Sequence, residues 1–214
     1  MTGVQTCALP ICWLASNPSA PRVLGVGWTF GAVPDGIPTR GMLDAVVADR
    51  PVYLDASDLH SVWCNSAALA ELGIVDGTPD PLGGTIVRTA DGTATGLLLE
   101  NAGYHLAWPV MNDVTDDESD RELERAVSAY LEAGTTAAVD MGCDERTART
   151  GERAARAGRL PVTVLAHWLI NRSDDAADEL RQVRVAAEMA QRHFERPFRV
   201  VGVKFVTDGT IDAC

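Results

Sequence analysis

The last third of the chain places the tightest limit on its fold. From Thr115 onward, apolar β-prone runs alternate with helical patterns. A helix opens at Thr115, then come a strand over 135–140, a helix over 145–157 and a strand over 160–166. A long helix near 174–194 and a strand over 198–206 complete the run. These strands are nearly continuous in apolar residues, as strands buried on both faces are. The β-α-β-α-β order predicts a parallel sheet covered by helices, either open or closed into a barrel. The first helix begins Thr115-Asp-Asp-Glu118, a capping box in which side chains of positions 115 and 118 satisfy free backbone donors. Leu123, Val127, Tyr130 and Leu131 form its apolar stripe. In the long helix, Leu180, Val183, Ala187, Ala190 and Phe194 are expected to share one buried face.

Upstream, 21–28 and 50–55 read as strands, with a short helix from Pro38 between them and another over 66–72 closed by Gly73. Ala90-Asp91-Gly92 separates two β-prone runs, 83–88 and 95–99, which is a hairpin signal. An antiparallel insertion is therefore expected over about 76–100. Met1 to Ile11 reads as a translated sequencing-adapter oligonucleotide. Residues 1–12 are thus expected to be a leader outside the fold, and 13–214 one domain.

A formal charge of −12 argues against nucleic acid or an anionic membrane surface as a partner, since both need basic patches. No apolar run reaches the ~18 residues of a membrane span. The five cysteines form no C-x-x-C pair, which suits reduced thiols and a cytoplasmic setting.

Lys204 is the sharpest chemical signal, because it interrupts the apolar strand Val203-Lys-Phe-Val206. Strand alternation would point it with Val200, Gly202 and Val206, away from Val203 and Phe205. Either its head snorkels to water at the strand's end, or it is desolvated, which favours the neutral amine that takes up carbon dioxide as a metal-binding carbamate. Asp208, with Gly209, is either a turn or a carboxylate in the strand-to-helix loop where parallel-sheet folds build sites. His60, with Asp55, Asp58 and Asn65, reads as a loop before a helix that either binds a polar substrate or orders itself. His105, His167 and His193 are isolated. No H-x-H or H-x-x-x-H pair, G-x-S-x-G elbow or phosphate-binding loop occurs.

Five segments, 25–28, 38–44, 50–69, 83–102 and 203–212, together resemble the amidohydrolase superfamily, and within it amidohydrolase family 3, which includes N-substituted formamide deformylases. The resemblance runs over about 21–214. It implies a (β/α)8 TIM-type barrel, of which this chain would be part, carrying the antiparallel insertion. It also implies one or two divalent metals, zinc above all, that activate water to hydrolyse C–N bonds of small amide-type substrates. By the same resemblance, Lys204 is the metal-bridging lysine, carboxylated, and His60, Trp63, Asn65 and Asp208 lie on the substrate side. The other expected ligands (an H-x-H pair, two further histidines and an aspartate) have no counterpart here. The chain is therefore expected to be a piece of an enzyme cut at both ends, inactive by itself. The alternative is a non-catalytic α/β domain that binds a small molecule; a barrel acting on sugars or phosphates is disfavoured.

Overall fold

The computed structural model describes residues 12–173, 175–192 and 197–207. The expected leader up to Ile11, together with His193 and Asp208, lies outside the described residues. The described residues separate into two compact units, 12–113 and 114–207.

The first unit is a mixed five-stranded sheet. β1 (Val23–Trp28) pairs in parallel with β2 (Val52–Ala56), and β2 pairs antiparallel with β3 (Ser61–Cys64). β3 then pairs with β5 (Ala94–Glu100), which also holds β4 (Gly84–Arg88), giving the order β1-β2-β3-β5-β4. The expected hairpin insertion is β4–β5, so it continues the main sheet. Helix α1 (Arg40–Asp44) and helix α2 (Ser66–Glu71) flank the strands. A π-helical turn, Gly103–Ala107, runs into α3 (Trp108–Met111). Two apolar clusters pack on the sheet, one around Tyr53, Val62 and Leu98, the other around Trp28, Leu54 and Trp63.

The expected loop before α2 is in fact strand β3. Its four residues are wholly buried, and the chain reverses into it through Leu59, whose φ is 64°. A four-residue strand is too short to leave a periodic signal.

The second unit is a three-stranded parallel sheet, β6 (Ala137–Cys143), β7 (Thr163–Ile170) and β8 (Phe198–Phe205), in consecutive order. α4 (Asp116–Glu132) precedes it; α5 (Glu145–Arg156) and α6 (Ala176–Arg192) are the crossovers. Both sides of the capping box at Thr115 and Glu118 form. One core joins Val127, Ala148, Ala154, Ala186 and Met189 to Ala166, Trp168, Ile170, Phe198 and Val200, so the three helices cover the same sheet face. Arg153 pairs with Asp116 and Asp120, and Arg159 with Asp120, tying α4 to α5 and the turn after it. α6 does not bury the face its larger residues predict. Ala186 and Met189 pack inward, while Leu180 and Val183 are exposed, because small and flexible side chains admit the closer approach to the sheet.

Candidate functional site

Lys204 is placed by a break in strand alternation. β8 pairs Val200 with Ala166 but Gly202 with His167, so Val201 is an extra residue, a β-bulge. Val200 therefore faces the helix-covered core, correcting the expectation that it points with Lys204. Beyond the bulge the register is Val203 with Trp168, Lys204 with Leu169 and Phe205 with Ile170. Paired residues of parallel strands point to the same side. Trp168 and Ile170 belong to the helix-side core, so Lys204 points away from the helices, on the face of Leu169, His167 and Gly202.

On that face the His167 ring lies against Gly202. A Cβ at Gly202 would stand 2.8 Å from His167 Cδ2. His167 Nδ1 is buried without a hydrogen-bond partner among the described residues. Gly202→Ala is expected to push the ring aside and lower stability by about 1–2 kcal/mol, an overpacking cost. Thermal melts followed by circular dichroism check this, and an unchanged midpoint would contradict the packing of ring on glycine.

The first unit holds a second group of polar side chains. His60 Nδ1 lies 2.8 Å from Glu100 Oε2 and 3.0 Å from the Tyr104 hydroxyl. Tyr104 packs on Trp108 at 4.7 Å between ring centroids, and the Trp108 indole N–H donates to Asp55 Oδ1 at 2.9 Å. Asp58 accepts from the His60 backbone N–H at 2.8 Å. Burial raises the Asp55 carboxyl above its ordinary range, an effect opposed by the Trp108 hydrogen bond. Burial, with the charges of Glu100, Asp58 and Asp55, raises Tyr104 and keeps its hydroxyl protonated. Of these partners, Glu100 and Tyr104 carry no motif and come from β5 and the π-helical turn; only their place in the fold reveals them.

Trp63 and Asn65 are framework residues of this unit. Trp63 is fully buried, its indole N–H donating to Thr39 O at 3.0 Å. Asn65 Oδ1 accepts from the Val52 and Ala68 N–H groups, and Nδ2 donates to Val47 O and Arg50 O. All four hydrogen-bonding positions of its amide are thus occupied within the fold. Burial pushes the Cys64 thiol up and holds Cys143 up at about 12, so neither is a ready nucleophile.

His60 belongs to the first unit and Lys204 to the second. Among the described residues no three His, Cys, Asp or Glu side chains converge as a metal-binding group. Lys204 with the unpartnered His167 nitrogen suits part of a cation site and does not make a whole one.

One unit carries a parallel sheet with a lysine turned away from its helix layer, and the other a mixed sheet with a histidine–carboxylate–tyrosine group, so the class is mixed α/β. Residues 13–213 match the sequence profile of the amidohydrolase family, and the chain belongs to that family. It is 37% identical over 130 residues to the N-substituted formamide deformylase of Arthrobacter pascens, covering 59% of this chain and 24% of that protein. It is 35% identical over 120 residues to Protein LONG AFTER FAR-RED 3 of Arabidopsis thaliana, covering 56% and 20%. Its fold is similar to that of a metal-dependent hydrolase from Pyrococcus horikoshii, with TM-score 0.62 and 22% identity over 90% of this chain and 35% of that one. The chain thus spans less than a quarter of the length of these two curated relatives. Among the described residues no helix is long and apolar enough to cross a membrane.

Proposed function

We propose that this chain is part of a metal-dependent hydrolase that cleaves a non-peptide C–N bond in a small amide, formamide or cyclic amide. The observation that carries the reading is the register of β8, which turns Lys204 away from the packed helix layer. As its carbamate, Lys204 would be a ligand to one or two divalent cations, zinc being the best fit to a nitrogen- and carboxylate-rich set. Such a cation supplies Lewis acidity at the scissile carbonyl and makes water more acidic. The buried His167 nitrogen without a partner supports a site on this face that further groups complete.

Consecutive strand order with every helix on one face supports reading β6–β8 as successive units of a (β/α)8 barrel, since a doubly wound sheet carries helices on both faces. His60 and Asp208 are read as the substrate-side residues. Trp63 and Asn65 act by holding the segment that presents His60. Buried free Cys64 and Cys143 suit a reducing, cytoplasmic setting. The 214-residue chain alone is read as inactive, because its described residues assemble too few ligands.

The test is hydrolysis by the full-length enzyme. Purified with zinc, it is expected to release amine from N-substituted formamides or simple amides, and to lose this on chelation and regain it on zinc addition. A zinc-loaded full-length protein without turnover on any of these C–N substrates would overturn the proposal.

A further inference from the structure

Two residues compete for one nitrogen of His60. Glu100 Oε2 at 2.8 Å and the Tyr104 hydroxyl at 3.0 Å both approach Nδ1, which in a neutral ring carries one proton or one lone pair. If Nδ1 were a lone pair, Tyr104 would donate to it, but the Glu100 carboxylate would then face an acceptor at contact distance. If Nδ1 carries the proton, it donates to the carboxylate in a charge-assisted bond, with the phenol oxygen as a second, weaker acceptor. The second arrangement satisfies both contacts. The Glu100 backbone N–H also donates to His60 O at 2.9 Å, so main chain and side chain hold the same residue. Glu100 keeps this grip with φ 49°, and Leu59 beside His60 with φ 64°, backbone conformations that cost a residue with a Cβ. The ring remains 23% exposed, and Nε2 makes no hydrogen bond among the described residues.

We propose that Glu100 and Tyr104 are positioning residues that fix His60 in its Nδ1–H tautomer, leaving Nε2 as an outward acceptor for an N–H group of the substrate amide. The substrate clause rests on the amidohydrolase reading; the tautomer clause does not. An acceptor at Nε2 selects amides that bear an N–H and offers nothing to tertiary amides.

Nitrogen-15 spectra of the labelled 214-residue chain at alkaline pH read the tautomer directly, and a His60→Gln variant assigns the signal. The wild-type ring is expected to show a protonated Nδ1 and a pyridine-type Nε2. Glu100→Gly removes the carboxylate at a φ that suits glycine, frees Tyr104 to donate, and is expected to invert the tautomer. Glu100→Gln keeps an acceptor oxygen and is expected to restore the wild-type pattern. An Nε2–H ring in the wild type, or an unchanged tautomer in Glu100→Gly, overturns the positioning role. For the ligand, N-methylacetamide is expected to move the Nε2 resonance upfield while N,N-dimethylacetamide leaves it in place. No shift, or equal shifts with both, overturns the substrate-facing role and leaves the metal-dependent hydrolase reading to its own assay.

Discussion

Asn65→Ala is expected to destabilise the first unit by about 3–5 kcal/mol, several times the ~1 kcal/mol lost when an ordinary helix cap is removed. The difference lies in the number of groups one amide satisfies. Asn65 caps α2 through the Ala68 N–H, and the same oxygen accepts from Val52 N–H at the start of β2. Its Nδ2 donates at 2.8 Å to Val47 O and at 2.9 Å to Arg50 O in the connection leading to β2. Truncation leaves three buried backbone groups and the part-buried Arg50 carbonyl short of a partner, and each buried loss costs about 1–3 kcal/mol when nothing replaces it. Asn65→Asp separates this from a simple loss of volume. It keeps the acceptor oxygen but sets a second one against two carbonyls, so it is expected to be at least as damaging as alanine. Denaturant unfolding followed by tryptophan fluorescence reports on this unit directly, since Trp28 and Trp63 sit edge to face at 5.6 Å in its core. A loss near 1 kcal/mol would mean that Asn65 is only a cap.

The same residue shows where sequence reading stops. Asn65 before Ser66-Ala-Ala-Leu is legible as a polar residue at a helix start, because capping is a local event. Its bonds to Val47, Arg50 and Val52 depend on how β2 returns beside β3, which no spacing encodes. The second unit was legible for the opposite reason. Its strands and helices are long enough to show their periods, and α4, α5, α6 and β6–β8 fall within a few residues of the expected segments. What failed there was phase. One extra residue, Val201, moves Val200 to the helix side, and a bulge leaves no mark in an all-apolar run such as Val-Val-Gly-Val. Lys204 kept its expected opposition to Val203 and Phe205 because all three lie beyond the bulge. His60 stood out as a titratable residue in a polar segment, but Glu100 is 40 residues away and reaches it only through the β3–β5 pairing.

On the proposed metal-dependent hydrolase function, Lys204→Ala in the full-length protein is expected to abolish measurable turnover and to weaken metal binding by at least about 100-fold, since even outer-shell substitutions cost 10–100-fold. The argument starts from β8. Past the bulge, Val203 and Phe205 take the side of Trp168 and Ile170, and Lys204 is left half-buried on the other side, level with Leu169. A lysine held there for its stem alone would tolerate arginine, which keeps the charge and the apolar reach. A lysine used as a carbamate would not, because a guanidinium stays protonated and has no neutral amine for carbon dioxide. Lys204→Arg is therefore expected to be as inactive as alanine, and the two variants to melt within about 1 kcal/mol of each other as apo-proteins. Formate, acetate or propionate added to Lys204→Ala can place a carboxylate where the proposed carbamate would stand, and is expected to restore part of both zinc binding and activity. Zinc content and amine release measured on the same samples decide the matter. If Lys204→Arg binds zinc and turns over like the wild type, the lysine is a solvated strand end and the cation is held without it.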